Sequence, residues 1–546
     1  MASALPSALQ LPTSSEADVF SPLLPPRNTA AAASRRRSAP SSSPRRAVPP
    51  PPGPARTPRS YAHRLPIIGC FLFAWLMLAY HAVADMPPLE ERVTAKQPGI
   101  SVALLANGFP GARTVLDDGP NAFLVVTTTT RTVIRVTTEA GLVVGKRTIL
   151  DWTGAFPSPL THGLELVPLK NSTYLLASSA DAVYGWEYNR GEFVDMEATF
   201  TVIKNINGAA GGKKGHISRS LNFEASTGYL YVSIGSLNNV DADSKQARIV
   251  RFKIVDENGE LILPDSEEGY DFIEDGEVWA DGLRNSVAQA WDSAGRLWEA
   301  NNGPAMLGRS DLRDAVATHL SIDNSNLDSS MAKSNSIISH AIDFHNDSPV
   351  EEINLLDEKG AFYGYPFCFT AGNISLSFDN DPIRGTQWAW MKGGVDGVHD
   401  DDWCRNSKNN KPPAAHLPAH TTPISMVFLK DGDGCGKIKN VSFPCNVVGN
   451  LIITLHGSWN RDIPIGYSVV MVPFENGYPK RDGKQLNSVV TLFEATDLQK
   501  KCVGNKANSC FRPTGIAVWK ERGTLIVASD STGELVEVAF AKEFHL

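Results

Sequence analysis

The chain has 546 residues and seven cysteines, and no two cysteines form a Cys-x-x-Cys pair, the spacing typical of zinc sites and dithiol redox motifs. The segment beginning Asp431-Gly-Asp-Gly starts like an EF-hand calcium loop, but Ser442 stands where that loop needs glutamate. His416 and His420 are four residues apart, yet Pro418 between them excludes a regular helix carrying two metal ligands. The sequence therefore lacks the common short motifs for zinc, dithiol and EF-hand chemistry.

The N-terminal stretch 1–63 lacks lysine and any apolar period, and is rich in Pro, Ser and Arg. Such a composition cannot bury enough apolar surface to offset its chain entropy, so we expect a disordered cytoplasmic tail. Residues 1–64 hold nine arginines and two carboxylates, a net charge of +7, so the rest of a chain at −8 carries −15. An acidic globular part argues against nucleic-acid binding.

Residues 65–84 form a mostly apolar run without charge, long enough to cross a bilayer as a helix. The arginine excess before it places the N-terminus in the cytoplasm. We therefore expect residues 64–84 to be the uncleaved signal-anchor of a single-pass type II membrane protein, with a linker at 85–98. A signal peptide cleaved after Ala84, which would give a secreted protein, and a bipartite transit peptide are the alternatives.

The cysteines and sequons of the globular part indicate an oxidising, luminal or extracellular compartment. Cys70 lies in the apolar run, which leaves six cysteines and fifteen possible pairings that sequence alone does not distinguish. Closure of short loops favours Cys368–Cys404, Cys435–Cys445 and Cys502–Cys510. Acceptor sequences for N-glycosylation begin at Asn171, Asn346, Asn373 and Asn440.

One short phrase recurs six times in the acidic part: a turn residue, a burst of apolar residues, and small polar residues before a loop. β-Branched and aromatic residues dominate each copy, which favours strands over helix. Most copies are about one propeller blade apart. The spacing predicts an all-β fold, a six-bladed β-propeller over residues 99–542, with a large loop insertion between blades 4 and 5. The six copies begin at Asn121, Asn171, Gly228, Gly295, Gly449 and Gly523.

A second phrase, a polar residue followed by alternating apolar ones, stands roughly ten residues before most copies of the first. If it forms the innermost strand of each blade, its leading residues surround the mouth of the central channel. The loops after the first phrase return to the same face. We therefore expect one polar well that collects His162, His216, Asn238, Asn239, Arg284, Asn302, His456 and Arg512.

Several stretches of this well match a known family in the same order. They include Glu277-Val-Trp-Ala-Asp-Gly-Leu-Arg-Asn285, Asn302-Gly-Pro304, Leu455-His-Gly-Ser-Trp-Asn-Arg461 and Arg512-Pro-Thr-Gly515. From about residue 100 to 540 the chain resembles the soluble glucose/sorbosone dehydrogenases, quinoproteins that use pyrroloquinoline quinone (PQQ) and calcium. Within that family it is most similar to the eukaryotic PQQ-dependent pyranose dehydrogenase branch.

The resemblance implies roles for individual residues. His216 would be the base that takes the proton of the sugar's anomeric hydroxyl, a task that suits imidazole. Arg284 would stabilise charge on the quinone as hydride arrives. The carbonyls of Gly303 and Pro304 would hold Ca²⁺, which prefers oxygen ligands. The expected cofactor-binding residues are Arg284, Asn285, Asn302, Trp459, Arg461 and Arg512.

His162 and Asn238 are the residues that we expect to contact the sugar. Here the chain departs from the bacterial enzymes, which carry a glutamine where His162 stands and a carboxylate near Asn238 and Asn239. Their lysine near Gly457–Arg461 has no counterpart, and Arg461 is the expected substitute. We therefore expect a sugar other than glucose, because the comparison with the bacterial enzymes supports cofactor binding better than it supports a preference for glucose.

The resemblance implies PQQ- and calcium-dependent oxidation of an aldose or pyranose at C1 to the lactone, with electrons passed to an external acceptor. One alternative is a non-catalytic binding propeller of the same family, similar to Hedgehog-interacting protein. The other is a calcium-dependent lactonase, which would need a carboxylate-lined metal at the channel centre. The enzyme is favoured, because one chain contains every residue matched to the base, the quinone contacts and the calcium ligands: His216, Arg284, Asn285, Gly303 and Pro304.

Overall fold

The computed structural model describes residues 86–154, 158–242, 245–264, 268–307, 309, 311, 346–372, 385–461, 463–480, 489–502, 510–541 and 544. They belong to a unit that spans Leu78–Leu546, and a second unit, Met1–Met77, lies outside the described residues. The predicted tail at 1–63 and the predicted signal-anchor at 64–84 lie outside them as well. Within the described part of the chain, no helix is long and apolar enough to span a membrane.

Six sheets of four or five strands make up the fold, which confirms the predicted six-bladed β-propeller. Each copy of the repeated phrase is the second strand of one blade, and successive innermost strands contact one another around the axis. From the innermost strand outwards, blade 1 consists of Ala112–Asp117, Ala122–Thr127, Thr132–Glu139 and Leu142–Asp151, and blade 2 of Leu160–Pro168, Thr173–Ser179, Val183–Glu187, Phe200–Lys204 and Tyr270–Asp271. Blade 3 consists of Leu221–Glu224, Tyr229–Ile234, Arg248–Lys253, Glu277–Asp281 and Ala361–Phe362, and blade 4 of Ser286–Trp291, Leu297–Asn301, Glu351–Leu355 and Ala415–Leu417. Blade 5 consists of Pro423–Phe428, Leu451–Leu455, Ser468–Val472, Val490–Ala495 and Val93–Ala95, and blade 6 of Pro513–Trp519, Thr524–Ser529, Glu534–Phe540 and Ile100–Asn107.

The remaining elements of the described residues are short. Two small two-stranded sheets and three α-helices lie outside the blades, together with two 3₁₀ turns. The sheets pair Cys368–Thr370 with Gln387–Ala389 and Phe474–Glu475 with Tyr478–Pro479, the helices are Leu89–Arg92, Asp401–Arg405 and Leu498–Lys501, and the 3₁₀ turns are Gly208–Ala210 and Cys445–Val447.

Apolar packing between blades explains why the repeated phrase is apolar on both faces. A second strand lies inside its blade, and both of its faces are covered by the adjacent blades, so all residues of Ala122–Thr127 and of Leu451–Leu455 are buried. Six apolar clusters of the described residues follow the same logic, one between each pair of adjacent blades. Burial of these faces holds neighbouring blades together.

The ring closes through the N-terminal part of the propeller. Ile100–Asn107 pairs antiparallel with Glu534–Phe540, so blade 6 combines strands from both ends of the domain. Residues 85–98 were expected to be a linker, but Val93–Ala95 pairs with Val490–Ala495 of blade 5. Just before that strand, Arg92 donates to both carboxylate oxygens of Glu534, at 2.8 and 2.6 Å, and both side chains are buried.

The extra residues lie inside blade 4, so their predicted position between blades 4 and 5 is wrong. One long segment separates Leu297–Asn301 from Glu351–Leu355, and a second separates Glu351–Leu355 from Ala415–Leu417. The fourth strand has only three residues and follows a segment of almost sixty residues, so the repeated phrase gives no indication of its position.

The three predicted disulfides, Cys368–Cys404, Cys435–Cys445 and Cys502–Cys510, are confirmed. Cys368–Cys404 ties the helix Asp401–Arg405 to a short strand within the second long segment of blade 4. Of the sequon asparagines, Asn171 and Asn440 are exposed, Asn346 is buried, and Asn373 lies outside the described residues.

We predict that Arg92→Ala lowers the free energy of unfolding by about 3–5 kcal/mol, because it leaves the Glu534 carboxylate buried without its partner. Urea unfolding of the purified propeller measures the change. Arg405→Ala is the control, since Arg405 pairs with Asp402 at the surface and such pairs contribute at most about 1 kcal/mol. Equal unfolding midpoints for Arg92→Ala and the wild type would show that this ion pair does not stabilise ring closure.

Candidate active site at the channel mouth

All six blades contribute polar residues to one end of the channel. Innermost and second strands are antiparallel, so the start of one lies beside the end of the other, as in Ser286↔Asn301 and Pro513↔Ser529. We call this end the channel mouth. Its residues, taken from blade 1 to blade 6, include Arg113, His162, His216, Asn239, Arg284, Asn285, Asn302, Gly303, His456, Arg512 and Asp530.

Arg284 immediately precedes the innermost strand of blade 4, and its guanidinium has four neutral acceptors. It donates to the carbonyls of Asn239, Asn302 and Gly303 at 3.1, 3.2 and 3.1 Å, and to Asn239 Oδ1 at 3.1 Å. No carboxylate of the described residues pairs with it. Burial lowers the pKa of Arg284, because enclosing the charged guanidinium carries a cost that the buried Glu351 offsets only in part. An anionic ligand would relieve that cost.

Asn302, which follows the second strand of blade 4, joins blades 4 and 5. Its Nδ2 donates to the carbonyls of Asn285 and Pro423 at 2.9 and 3.0 Å. Its Oδ1 is buried and has no hydrogen-bond partner in the described residues. An unsatisfied buried acceptor is unfavourable and marks a position where a ligand or a cation can bind.

A buried glutamate accepts a hydrogen bond from the Gly303-Pro304 turn. Glu351 Oε2 accepts from the Gly303 backbone N–H at 2.6 Å, and Oε1 accepts from Thr422 N at 3.4 Å. Burial raises the pKa of Glu351 to about 7, against the opposing effect of these hydrogen bonds. Glu351 was not among the predicted site residues.

His216 precedes the innermost strand of blade 3, and its tautomer follows from its contacts. Nδ1 is 2.8 Å from the carbonyl of Ser236, which can only accept, so Nδ1 carries the proton. Nε2 has no hydrogen-bond partner in the described part of the chain and keeps its lone pair. Burial, with Arg284 as the next cause, lowers the pKa of His216 to about 4, so the imidazole is neutral at physiological pH.

Gly235 lets the neighbours of His216 approach closely. A Cβ at this position would lie 2.6 Å from Asn285 Oδ1 and 2.6 Å from His216 Cβ, so only glycine fits between them. The carbonyl of Arg284 also accepts from Ser236 N at 2.8 Å. These contacts bring His216, Arg284 and Asn285 together, as the sequence predicts.

His456, after the second strand of blade 5, has the opposite tautomer. Its Nδ1 is 3.0 Å from an Arg512 nitrogen that can only donate, so Nε2 carries the proton and donates to Asp530 at 2.9 Å. Arg113 also contacts Asp530, at 3.1 Å. Burial would raise the pKa of Asp530, but His456, Arg113 and Arg512 hold it well below its usual value. With both nitrogens engaged, His456 connects blades 5 and 6 and is unsuited to act as a base.

His162 lies on the innermost strand of blade 2 and is 6% exposed. Its Nδ1 is buried without a hydrogen-bond partner in the described residues, and its carbonyl accepts from Thr114 Oγ1. Burial, reinforced by Arg113, lowers the pKa of His162 to about 3. His162 is therefore a neutral imidazole at the mouth.

Three predicted site residues make no hydrogen bond to the others in the described part of the chain. The Asn238 side chain is exposed, and its neighbour Asn239 makes the contacts to Arg284 instead. Trp459 is 76% exposed. Arg461 donates to Asp347 Oδ1 at 3.2 Å and to the carbonyl of Ile463 at 3.3 Å, while its NH1 is buried without a partner in the described residues.

Sequence reasoning missed Arg113, and assigned no role to Asn239, Glu351, Tyr365 or Asp530. Arg113 leads the innermost strand of blade 1, ahead of Thr-Val-Leu-Asp, so its position relative to the repeat is the signal that could have revealed it. Tyr365 donates to the carbonyl of Asn239 at 3.3 Å from far along the chain, and burial raises its pKa to about 12. No local pattern indicates such a contact.

Fold and site together define a propeller that can hold a polyanion at its axis beside an imidazole with a free lone pair. Arg284 and Arg512 stand on different blades without a paired carboxylate in the described residues, and the imidazole is that of His216. Comparison with known proteins identifies the family: the chain belongs to the TrAA12-like family, whose model matches residues 94–540.

Named relatives support this membership. The chain is 27% identical over 389 residues to the pyrroloquinoline quinone-dependent pyranose dehydrogenase of Coprinopsis cinerea, covering 69% of this chain and 46% of that protein. The chain thus spans about half the length of that relative. It is 24% identical over 464 residues to the pyrroloquinoline quinone-dependent sugar dehydrogenase of Hypocrea jecorina, covering 80% of this chain and 87% of that protein.

Solved structures share the fold. The holo form of the pyranose dehydrogenase PQQ domain of Coprinopsis cinerea superposes with a TM-score of 0.63 at 24% identity, covering 83% of this chain and 98% of that one. The calcium structure of the family AA12 protein of Trichoderma reesei gives 0.63 at 24% identity, with coverages of 82% and 97%. At this identity the likeness concerns the fold alone.

Glu299, on the second strand of blade 4, is a further buried acid near the mouth. It is fully buried, and it accepts from Ser286 Oγ and Asn354 Nδ2, each at 2.7 Å. Burial raises its pKa from 4.5 to about 8. In the folded state Glu299 therefore keeps its proton to a higher pH than in the unfolded chain.

We predict a pH-dependent stabilisation by Glu299→Gln. Because the folded pKa is raised, the stability linked to Glu299 is complete below about pH 4.5 and is lost as the pH rises towards 8. The glutamine resembles the protonated acid and does not titrate. Relative to wild type, the variant should gain roughly 2–3 kcal/mol of unfolding free energy between pH 5.5 and 8.5, measured by urea denaturation. Parallel pH curves for the two proteins would contradict this.

Proposed function

We propose that this protein is a quinoprotein sugar dehydrogenase, which binds PQQ at the channel mouth and oxidises an aldose or pyranose at C1 to the lactone. The observation that carries the proposal is the combination of Arg284, which donates only to neutral acceptors in the described residues, with a neutral His216 whose Nε2 is free. The names of the relatives from Coprinopsis cinerea and Hypocrea jecorina support it.

The donor set of the mouth fits PQQ, which carries three carboxylates and two quinone oxygens. Arg284 and Arg512 both donate only to neutral acceptors in the described residues, so no carboxylate occupies their N–H groups. Asp530 attracts the charge of Arg512 without a hydrogen bond to it. The amides of Asn285 and Asn302 supply further polar contacts. We also assign Trp459 and Arg461 to cofactor binding, at the edge of the mouth. When bound, PQQ supplies a two-electron acceptor for hydride.

Ca²⁺ is the second cofactor in the proposal, with the carbonyls of Gly303 and Pro304 among its ligands. The Gly303 carbonyl accepts from the Arg284 guanidinium at 3.1 Å, and a carbonyl oxygen has a second lone pair that could bind a cation. The unsatisfied Asn302 Oδ1 offers another neutral oxygen. In the described residues no group of three or more His, Cys, Asp or Glu side chains could hold a metal, so backbone and amide oxygens are the expected ligands.

The proposed reaction removes a hydride and a proton from the sugar, which together amount to two electrons and two protons. The C1–H bond breaks with its electron pair, so that carbon loses a hydride, and the anomeric hydroxyl loses its proton to His216 Nε2 as the C1=O bond forms. Arg284 stabilises the negative charge that the acceptor gains. Sequence reasoning expected a near-neutral base, and the lower pKa of His216, about 4, keeps it free of its proton before the sugar binds.

His162 and Asn238 are the proposed sugar contacts. His162 is a neutral imidazole with an unsatisfied Nδ1, which can accept from or donate to a sugar hydroxyl according to its tautomer. The electron acceptor is external to the propeller. We place the reaction in an oxidising compartment outside the cytoplasm, supported by three disulfides, with residues 64–84 as membrane anchor or, for a secreted form, as signal peptide.

The two other functions fit the mouth less well. A non-catalytic binding propeller needs neither a base with a free lone pair nor an enclosed guanidinium that donates only to neutral acceptors. A lactonase of this fold would use a carboxylate-lined metal at the centre. Two carboxylates described at the mouth are already engaged: Asp530 by Arg113 and His456, and Glu351 by the backbone N–H groups of Gly303 and Thr422.

We predict that the propeller beginning at residue 86 binds PQQ in a one-to-one ratio, and only when calcium is present. The reason is that Arg284 and Arg512 would contact the cofactor's carboxylates, and that a calcium ion held by the carbonyls of Gly303 and Pro304 would add positive charge beside them. Titration followed by quinone absorbance, with and without a chelator, measures both requirements. Absence of any calcium-dependent absorbance change would remove the proposed activity.

We predict that His216→Gln lowers turnover by about 10²–10⁴-fold, the usual effect of losing a positioned base, while PQQ affinity changes little. Dye reduction over a panel of aldoses measures turnover. His162→Ala is the comparison, and it should raise KM more than it lowers kcat, as expected for lost substrate binding. If His162→Ala abolishes turnover and His216→Gln does not, the base is wrongly assigned.

A further inference from the structure

Asn239, in the loop after the second strand of blade 3, is the most highly connected neutral side chain around Arg284. Its Oδ1 accepts from Arg284 NH2 at 3.1 Å and from Ala305 N at 2.8 Å, and its Nδ2 donates to the carbonyl of Ala305 at 2.7 Å. Its backbone carbonyl accepts from Arg284 Nε at 3.1 Å. One residue thus connects the guanidinium to the turn that carries Gly303 and Pro304.

Only an amide can make this set of contacts. Oδ1 must accept twice while Nδ2 donates, and asparagine provides both functions on one planar group. An ionised carboxylate of the same shape would accept from Arg284 but would place an acceptor against the Ala305 carbonyl. Shorter side chains such as alanine would make none of the three side-chain bonds.

The amide also has an electrostatic consequence. The other acceptors of Arg284, the carbonyls of Asn302 and Gly303, are neutral as well, so the guanidinium is held in place without being neutralised. A carboxylate at position 239 would hold Arg284 at the same distance, but its negative charge would cancel the positive charge on which anion binding depends.

We propose that Asn239 is the positioning residue for Arg284, fixing the guanidinium against the Gly303 turn while leaving its positive charge available to the anionic cofactor. This inference rests on the proposed function, since it concerns the same site. It adds a residue that acts through Arg284, in a loop where the sequence pointed to Asn238 for sugar binding.

Two substitutions in the full chain separate position from charge. Asn239→Asp keeps the size and adds a negative charge beside Arg284, whereas Asn239→Ala removes the contacts and leaves the charge of Arg284 unchanged. Asn476→Asp is the matched control, because it adds the same charge at an exposed turn between Phe474–Glu475 and Tyr478–Pro479, outside the blades. The dissociation constant for PQQ is measured in calcium by quinone absorbance.

We expect Asn239→Asp to weaken PQQ binding by at least about tenfold more than Asn239→Ala, because an ion pair with Arg284 competes with the ligand. Asn239→Ala should bind about three- to tenfold more weakly than the wild type, and Asn476→Asp within twofold of it. Equal affinities for Asn239→Asp and Asn239→Ala, or wild-type affinity in Asn239→Asp, would overturn the proposal. Should Asn239→Asp not fold, wild-type affinity in Asn239→Ala overturns it.

A measurement without cofactor distinguishes failure of this inference from failure of the proposed function. In cofactor-free protein the introduced carboxylate should be stabilised by Arg284, so the unfolding midpoint of Asn239→Asp should rise relative to that of Asn239→Ala between pH 3 and pH 6. Parallel pH curves would overturn the link between position 239 and Arg284. If the variants show this link but the wild-type protein binds no PQQ, the proposed function and the role of Asn239 in ligand binding are both overturned.

Discussion

Closure of the ring is the constraint on which the rest of the structure depends. Each blade delivers only one or a few residues to the channel mouth, so their mutual distances are set by the positions of all six blades. The N-terminal strand Ile100–Asn107 completes blade 6, and the buried pair of Arg92 and Glu534 stabilises this junction. Without closure, Arg113 of blade 1 and Asp530 of blade 6 would have no reason to meet.

Burial of charge gives the mouth its chemistry. His216 precedes the innermost strand of blade 3 and His456 follows the second strand of blade 5. Both lie at the channel mouth, but their hydrogen-bond partners select opposite tautomers. A carbonyl opposite His216 Nδ1 leaves Nε2 free, whereas Arg512 and Asp530 occupy both nitrogens of His456. The same type of side chain thus becomes a candidate base on one blade and a structural connection on another.

Much of the fold could be predicted because the repeated phrase records a strand that is covered on both faces. The same periodicity placed His216, Arg284, Asn285, Asn302 and Arg512 at the mouth. The short fourth strand of blade 4, Ala415–Leu417, escaped prediction because three residues carry no detectable period. Tyr365 escaped for another reason: it reaches Asn239 across more than a hundred residues of chain.

The sequence by itself determined the number of blades, the second strand of each and the end of the channel where the polar residues gather, because near neighbours along the chain encode strand periodicity. The tertiary structure decided which of two adjacent asparagines contacts Arg284, which histidine keeps a free nitrogen, and that Arg284 lacks a paired carboxylate among the described residues. Those properties depend on hydrogen bonds and burial supplied by residues distant in sequence. A charge or a tautomer is set by all the atoms around it, and only the closed ring brings those atoms together.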